Sequence, residues 1–492
     1  MELVNNSNLK IYSTNDLSNE DINQSNCLVV LINTLLDLSF LSDSQFILGQ
    51  IKAHKALEGP YGIWQGWLPN KIGTKVLILK IPNQFQAYDY THKLMSTLKK
   101  LVLHSSNYII IDKINSHTYT TLTIRTLLSH LAIMPTFKSK NVGSGVTQNI
   151  HCYTNLELNT VDITSSHDGN YIARYLTTLP TNYLTPSIYK DKLESLSASE
   201  GWEFKVYDQK ELLTIGAEAF SAVSRASQGA CIIKMTYKPS NIKTSKKICL
   251  IGKGVCFDTG GVNVKSPEHM YGMQEDMGGS ATAIGSILML SRMDFEYQVE
   301  CWVAITSNLI SENSYLPNEV ITAINGTTIE IVDTDAEGRL ILADTLAMAS
   351  MDKPELIIDY ATLTGASLRA VGTRYSTIFS NYSDWYSTLI KAGEISGERV
   401  WPMPMDDDYL NDIKSDIADI KQCSNTPGPD HIHAAKFLEK FVSHNVRWLH
   451  IDLSASCNKG GLGAVPSDFT GFGVWFTQEL IRQLYTSSDI NK

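Results

Sequence analysis

The sequence predicts an α/β fold in two domains: a smaller N-terminal α/β domain and a larger C-terminal domain whose mainly parallel central sheet is flanked by helices. Three observations predict it. The chain has 492 residues, more than one ordinary core organises. From about residue 246 onward, short apolar runs of strand length alternate with longer helix-like runs. The segment GNYIARYLTTLPTNYLTP, 169–186, reads as a helix stopped by Pro180 and then a turn, a natural junction. The expected domains are 1–165 and 166–492.

In chain order, the first part mixes strand-like runs (KVLILKIP, NYIIID) with polar loops, and Leu28 to Phe40 reads as core strand or helix. KKICLIG, 246–252, reads as a buried strand followed by a Gly-rich loop. GGSATAIGSILML, 278–290, reads as a helix with a small-residue face. ECWVAITS (300–307) and TTIEIVD (327–333) read as strands, RLILADTLAMAS (339–350) as a helix, and ELIIDYA (355–361) as a further strand. This alternation implies right-handed βαβ units, with a site outside the C-terminal ends of the strands.

Composition narrows the function classes. Hydrophobic residues make up 43% and charged residues 19%, which is globular. The start, MELVNNSNLK, lacks the pattern of a signal peptide, and Leu28–Phe40 is too short to span a bilayer and contains Asn33 and Asp37. No membrane association is expected. Eight cysteines without a CxxC pair suit free thiols in a reducing, cytoplasmic setting. Net charge is −10. Residues 1–165 hold 13 basic and 11 acidic residues, net +2, and the remainder holds 28 and 40, net −12. That balance disfavours a protein built mainly to hold nucleic acid.

The chemistry concentrates in three short segments. GKGVCFDTGGVNVKS, 252–266, holds Lys253, Asp258 and Lys265, and MQEDMGG places Asp276 before a helix start. VDTDAEGRL, 332–340, holds Asp333, Asp335, Glu337 and Arg339 at alternate positions. In an extended segment alternate residues share a side, so Asp335, Glu337 and Arg339 are expected to face one cleft. Carboxylates gathered at one strand end repel unless cations sit between them, and two divalent ions would match Asp258, Asp276, Asp335 and Glu337. A lone DxDxE is more often a solvated acidic turn. Lys265 and Arg339, each taken singly, read as a loop lysine and a helix-terminal surface residue; their spacing to the acids overturns that. The sequence has no Walker A pattern, helix-initial GxGxxG or HExxH. His431 and His433, two apart, read as part of a solvated polar turn.

Together, GKGVCFDTGG, MQEDMGG, DTDAEGRLILADTL and YATLTGA resemble the signature blocks of the leucyl (cytosol) aminopeptidase family, with NYLTP and TGFGVW similar to its flanking segments. The resemblance runs from about residue 169 to near the end. It implies a two-metal-ion aminopeptidase that releases leucine-like or other hydrophobic N-terminal residues. Lys253, Asp258, Asp276, Asp335 and Glu337 match the ligands of two divalent ions (Zn or Mn, with Mg or Co as alternatives). Asp258 and Glu337 would bridge them, and Lys253 would bind as a neutral amine of depressed pKa. Lys265 and Arg339 match the catalytic pair, with a bicarbonate beside Arg339. A metal-bridging hydroxide would attack the peptide carbonyl. The resemblance points to Met273, Thr362, Leu363, Gly365 and the segment Ser454 to Cys457 as pocket walls, to peptide substrates, and to a homohexamer.

The chain also departs from the family. Asp333 stands where the pattern usually has Asn; it would either act on the metal site or point into solvent. The segments 421–441 and 453–469 differ too. Three other readings remain: a DNA-binding protein, which the first part permits without supporting; another two-metal hydrolase such as a phosphatase; and an inactive structural oligomer.

Overall fold

The computed structural model describes residues 7–41, 43–55, 57–58, 62–81, 86–101, 107–139, 148–240 and 246–485. Two large mixed sheets organise the chain, each with a core on both of its faces. The first is six-stranded, in the order Ser7–Tyr12, Gln148–Tyr153, Asn107–Asp112, Cys27–Ile32, Lys75–Lys80, Ile63–Trp67. All neighbours are parallel except the last pair. Cys27–Ile32 is buried along its whole length because period-2 alternation sends Cys27, Val29 and Leu31 into one core and Leu28, Val30 and Ile32 into another. The apolar run from Leu28 is therefore mostly strand, followed by a 3-10 turn at Leu35–Leu38.

The second sheet has eight strands, in the order Val400–Pro402, Ser376–Ser380, Arg447–Asp452, Leu356–Ala361, Lys247–Asp258, Gln298–Asn308, Cys231–Tyr237, Glu203–Asp208. Its centre, from Arg447–Asp452 to Gln298–Asn308, is parallel, and antiparallel pairs flank it. Both faces are covered. Ile248 and Leu250 face the core that contains the helices Thr160–Thr178 and Gly278–Arg292; Cys249 and Ile251 face the core that contains the helix Glu337–Met351. From Lys247–Asp258 the chain crosses one face to Gln298–Asn308, then the other face to Leu356–Ala361, which lies on the opposite side of the starting strand. This reversal opens a crevice between Lys247–Asp258 and Leu356–Ala361, at their C-terminal ends. Gly252 and Gly279 let the helix sit directly on the sheet there: a Cβ on Gly252 would lie 2.7 Å from Ser280 N, and one on Gly279 would lie 2.9 Å from Ala361 Cα.

Three expectations are corrected. The strand expected at 246–252 runs on to Asp258, so Lys253 and Asp258 lie on a strand rather than in a loop. The run at 327–333 is not part of the main sheet. Only Thr328–Glu330 is strand, in a small three-stranded sheet with Val320–Thr322 and Ile420–Lys421. The helix expected from 169 begins at Thr160. It serves both units, with Ile163 in the core of the first and Ile172, Ala173 and Leu176 in the core of the second.

Candidate metal centre

Four elements bring the acidic residues together. Asp258 ends its strand beside Asn308, which ends the neighbouring parallel strand in register with it. Asn308 Nδ2 and the Gly260 amide both donate to Asp258 Oδ1, at 2.8 Å each. Asp276 precedes the helix Gly278–Arg292, and Glu337 is the first residue of Glu337–Met351. Both carboxylates thus sit at helix N-termini, where the dipole favours negative charge. Single oxygens of Asp258, Asp335 and Glu337 lie within 4.8 Å of one another.

Two lysines thread this cluster. Lys253 is buried; its Nζ lies 2.7 Å from Asp276 Oδ1 and 3.0 Å from Glu337 Oε1, and donates to the Thr362 carbonyl at 2.9 Å. Lys265 Nζ lies 2.8 Å from Asp258 Oδ2 and 2.6 Å from Asp335 Oδ1. Thr362 Oγ1 donates to Asp276 Oδ1 at 2.8 Å. Asp276 Oδ2 and Glu337 Oε2 are buried without a hydrogen-bond partner.

The electrostatics follow from this crowding. Burial, reinforced by repulsion from Asp258, pushes the Glu337 carboxyl up to about 8. Burial pushes Asp276 up to about 7 against the pull of Lys253, and Asp335 up to about 6 with repulsion from Asp258. Burial opposes the charge on Lys253, but Asp276, Glu337 and Asp258 overcome it and hold its ammonium above the ordinary range. Lys265 is raised in the same way by Asp258 and Asp335. Two lysines do not satisfy four carboxylates: oxygens stay orphaned and protons are retained. The donor set is all oxygen apart from one amine, and its excess of negative charge fits divalent cations.

Asp335 lies in a turn and Glu337 opens a helix, so extended periodicity does not apply. Asp335 and Glu337 converge with Asp258. Arg339 lies two residues further along the same helix, and its Nη2 donates to Asp430, 2.9 and 2.8 Å from Oδ1 and Oδ2. Asp333 is not one of the three converging carboxylates, although its charge adds to the repulsion on Asp335. Its Oδ1 accepts the Asp335 amide at 2.9 Å and its own amide donates to Gln422 Oε1. His431 and His433 do not form a solvated turn; both are buried in the helix Asp430–Glu439. Of the expected pocket residues, Met273 is half-buried in a 3-10 turn, Leu363 donates its amide to Asp452 Oδ1 at 3.1 Å, and Gly365 is exposed at a helix start capped by Thr364. Sequence reasoning missed Asn308, Asp452 and Asp430. Asn308 had a usable signal, since parallel neighbours end together and it ends the strand beside Asp258.

This crevice carries the blocks that define a family. Residues 171–477 match the catalytic-domain model of the cytosol aminopeptidase family. The chain belongs to that family. It is 38% identical over 312 residues to a probable cytosol aminopeptidase of Chlorobaculum parvum, covering 63% of this chain and 62% of the relative. It is 35% identical over 317 residues to the cytosol aminopeptidase of Rickettsia prowazekii, covering 64% and 63%. The chain thus spans a little under two thirds of these relatives. Structures extend the likeness in fold to nearly the whole chain. The leucyl aminopeptidase of Trypanosoma cruzi superposes with a TM-score of 0.81 at 21% identity, over 97% of both chains. The bottromycin maturation enzyme BotP, in a complex with Mn, gives 0.81 at 24% identity, over 94% of this chain and 99% of that one. The family's two-domain fold therefore includes the N-terminal sheet, where the sequence resemblance was weak. Among the described residues, no helix is long and apolar enough to cross a membrane.

Proposed function

We propose that this protein is a metal-dependent aminopeptidase that releases leucine-like or other hydrophobic residues from peptide N-termini. The observation that carries the reading is the convergence of Asp258, Asp335 and Glu337 within 4.8 Å, with the unpartnered oxygens of Asp276 and Glu337 beside them. Lys253, Asp258, Asp276, Asp335 and Glu337 would hold two divalent ions, Mn or Zn, with Mg or Co as alternatives. When bound, such ions polarise a carbonyl and lower the pKa of water.

The chain's own residues supply the rest. The acidic crevice favours a substrate's free α-amine, so a blocked N-terminus loses that attraction. Lys265, on the loop after the strand and only partly buried, would donate to the oxygen on which negative charge develops. Asn308 and the Gly260 amide hold Asp258 in one orientation, and Thr362 does the same for Asp276. Met273, Thr362, Leu363 and Gly365 would line the pocket for the first side chain. The division into domains 1–165 and 166–492, a cytoplasmic location and a homohexamer complete the reading, the division being supported by the two separate sheets. The Asp430 carboxylate already accepts from Arg339 Nη2, which argues against a bicarbonate at that nitrogen.

The test is hydrolysis of leucine-p-nitroanilide and of a leucine-initiated peptide by manganese-loaded protein, each with the N-terminus free and acetylated. Cleavage of the free forms alone is expected. Equal cleavage of the acetylated forms, or none across a broad panel of free peptides, would overturn the reading.

A further inference from the structure

Arg339 is buried, 2% exposed. Its Nη1 donates to the Gln422 carbonyl at 3.2 Å, and Nη2 donates to both oxygens of Asp430. Asp430 opens the helix Asp430–Glu439, so its charge also meets that helix's N-terminal dipole. Burial would favour a neutral Asp430, but the Arg339 guanidinium holds it below the usual carboxylate range, with His433 and His431 adding weakly. It is a carboxylate. An added anion approaching this guanidinium would meet a negative charge already 2.8 Å from Nη2. Carboxylate and bicarbonate share the same planar pair of acceptor oxygens, the shape a guanidinium is built to hold.

We propose that Asp430 is a built-in counter-anion that occupies the seat beside Arg339, so that this protein neither binds nor needs bicarbonate there. The residue lies in the 421–441 segment where the chain departs from its family's pattern. Asp430 acts through Arg339 and is a positioning residue.

The test uses full-length protein, chelated and reloaded with manganese, in buffer freed of carbon dioxide. Two quantities are read: the line width of ¹³C-bicarbonate, which paramagnetic manganese broadens on nearby binding, and hydrolysis of leucine-p-nitroanilide. Wild type is expected to cause no saturable broadening, and bicarbonate is expected to change its rate by less than about twofold. Asp430→Asn keeps the shape without the charge. It is expected to lose about 10–100-fold in rate, to broaden the bicarbonate line and to recover activity when bicarbonate or formate is added. Asp430→Glu should retain most activity without either anion. Saturable broadening and stimulation in wild type would overturn the proposal. So would folded Asp430→Asn and Asp430→Ala proteins that neither bind nor respond to bicarbonate. The hydrolysis reading rests on the peptidase function proposed above; the line width rests only on manganese being bound in the crevice, which the metal content of each reloaded form checks, and it decides the anion question even if no form cleaves a peptide.

Discussion

Replacing Glu337 by Gln should make the metal-free protein more stable while abolishing its activity. Glu337 is buried among Asp258, Asp276 and Asp335, and its carboxyl is pushed from 4.5 up to about 8. At pH 7 the folded chain keeps a proton there that the unfolded chain has released. Holding it costs about 1.4 kcal/mol for each pH unit above 4.5, or roughly 3 kcal/mol at pH 7. Because the folded pKa is the higher one, this loss is absent below pH 4.5, grows as pH rises and levels off above 8. Glutamine carries no such cost and can still accept from Lys253, 3.0 Å away in the wild type. The assay is urea unfolding of chelated wild type and Glu337→Gln at pH 5, 6, 7 and 8. The variant's advantage should widen with pH towards a few kcal/mol, and added manganese should stabilise wild type far more than the variant. A metal-free variant less stable than wild type at pH 7 would refute the reasoning: Glu337 would then be a satisfied partner of Lys253, not a ligand held under repulsion.

Gly338→Ala should fold but lose metal affinity by about 10–100-fold, read by titration with manganese, because its Cβ would lie 2.6 Å from Lys253 Cε and 2.9 Å from Nζ. Asp333→Asn should change kcat/KM by no more than about twofold, the scale of a substitution outside the site, since Asp333 caps the turn at Asp335 rather than being one of the converging carboxylates. Asp359→Asn should cost about 3–5 kcal/mol in unfolding experiments, because Asp359, fully buried in the sheet, accepts from Trp448 Nε1 at 2.6 Å and pairs with His450 Nδ1 at 2.6 Å.

Much of the crevice was legible because its residues sit in local blocks. Lys253, Asp258, Asp276, Asp335 and Glu337 fall within three short stretches at the ends of strands and starts of helices, and strand-helix alternation put those ends on one side of a sheet. What sequence periodicity could not supply was the geometry inside the blocks. The expected loop at 253 is strand because Lys253 and Gly254 pair in register with Ala304 and Ile305, a long-range ladder that the glycines disguise. Arg339 and Glu337 share a helix rather than an extended segment, so a period of two could not say what Arg339 meets. Asp430 was invisible for a different reason: its partner is 91 residues away, and only the packing of Asp430–Glu439 beside Glu337–Met351 brings them together.

The most direct test of the central claim is a titration of chelated protein with manganese, with bound metal and hydrolysis of leucine-p-nitroanilide followed together. The expected result is activity that starts near zero and saturates at two ions per chain, with Glu337→Ala binding fewer ions and staying inactive. Hydrolysis that persists after complete chelation, or a chain that binds two ions and cleaves no free N-terminus, would contradict it.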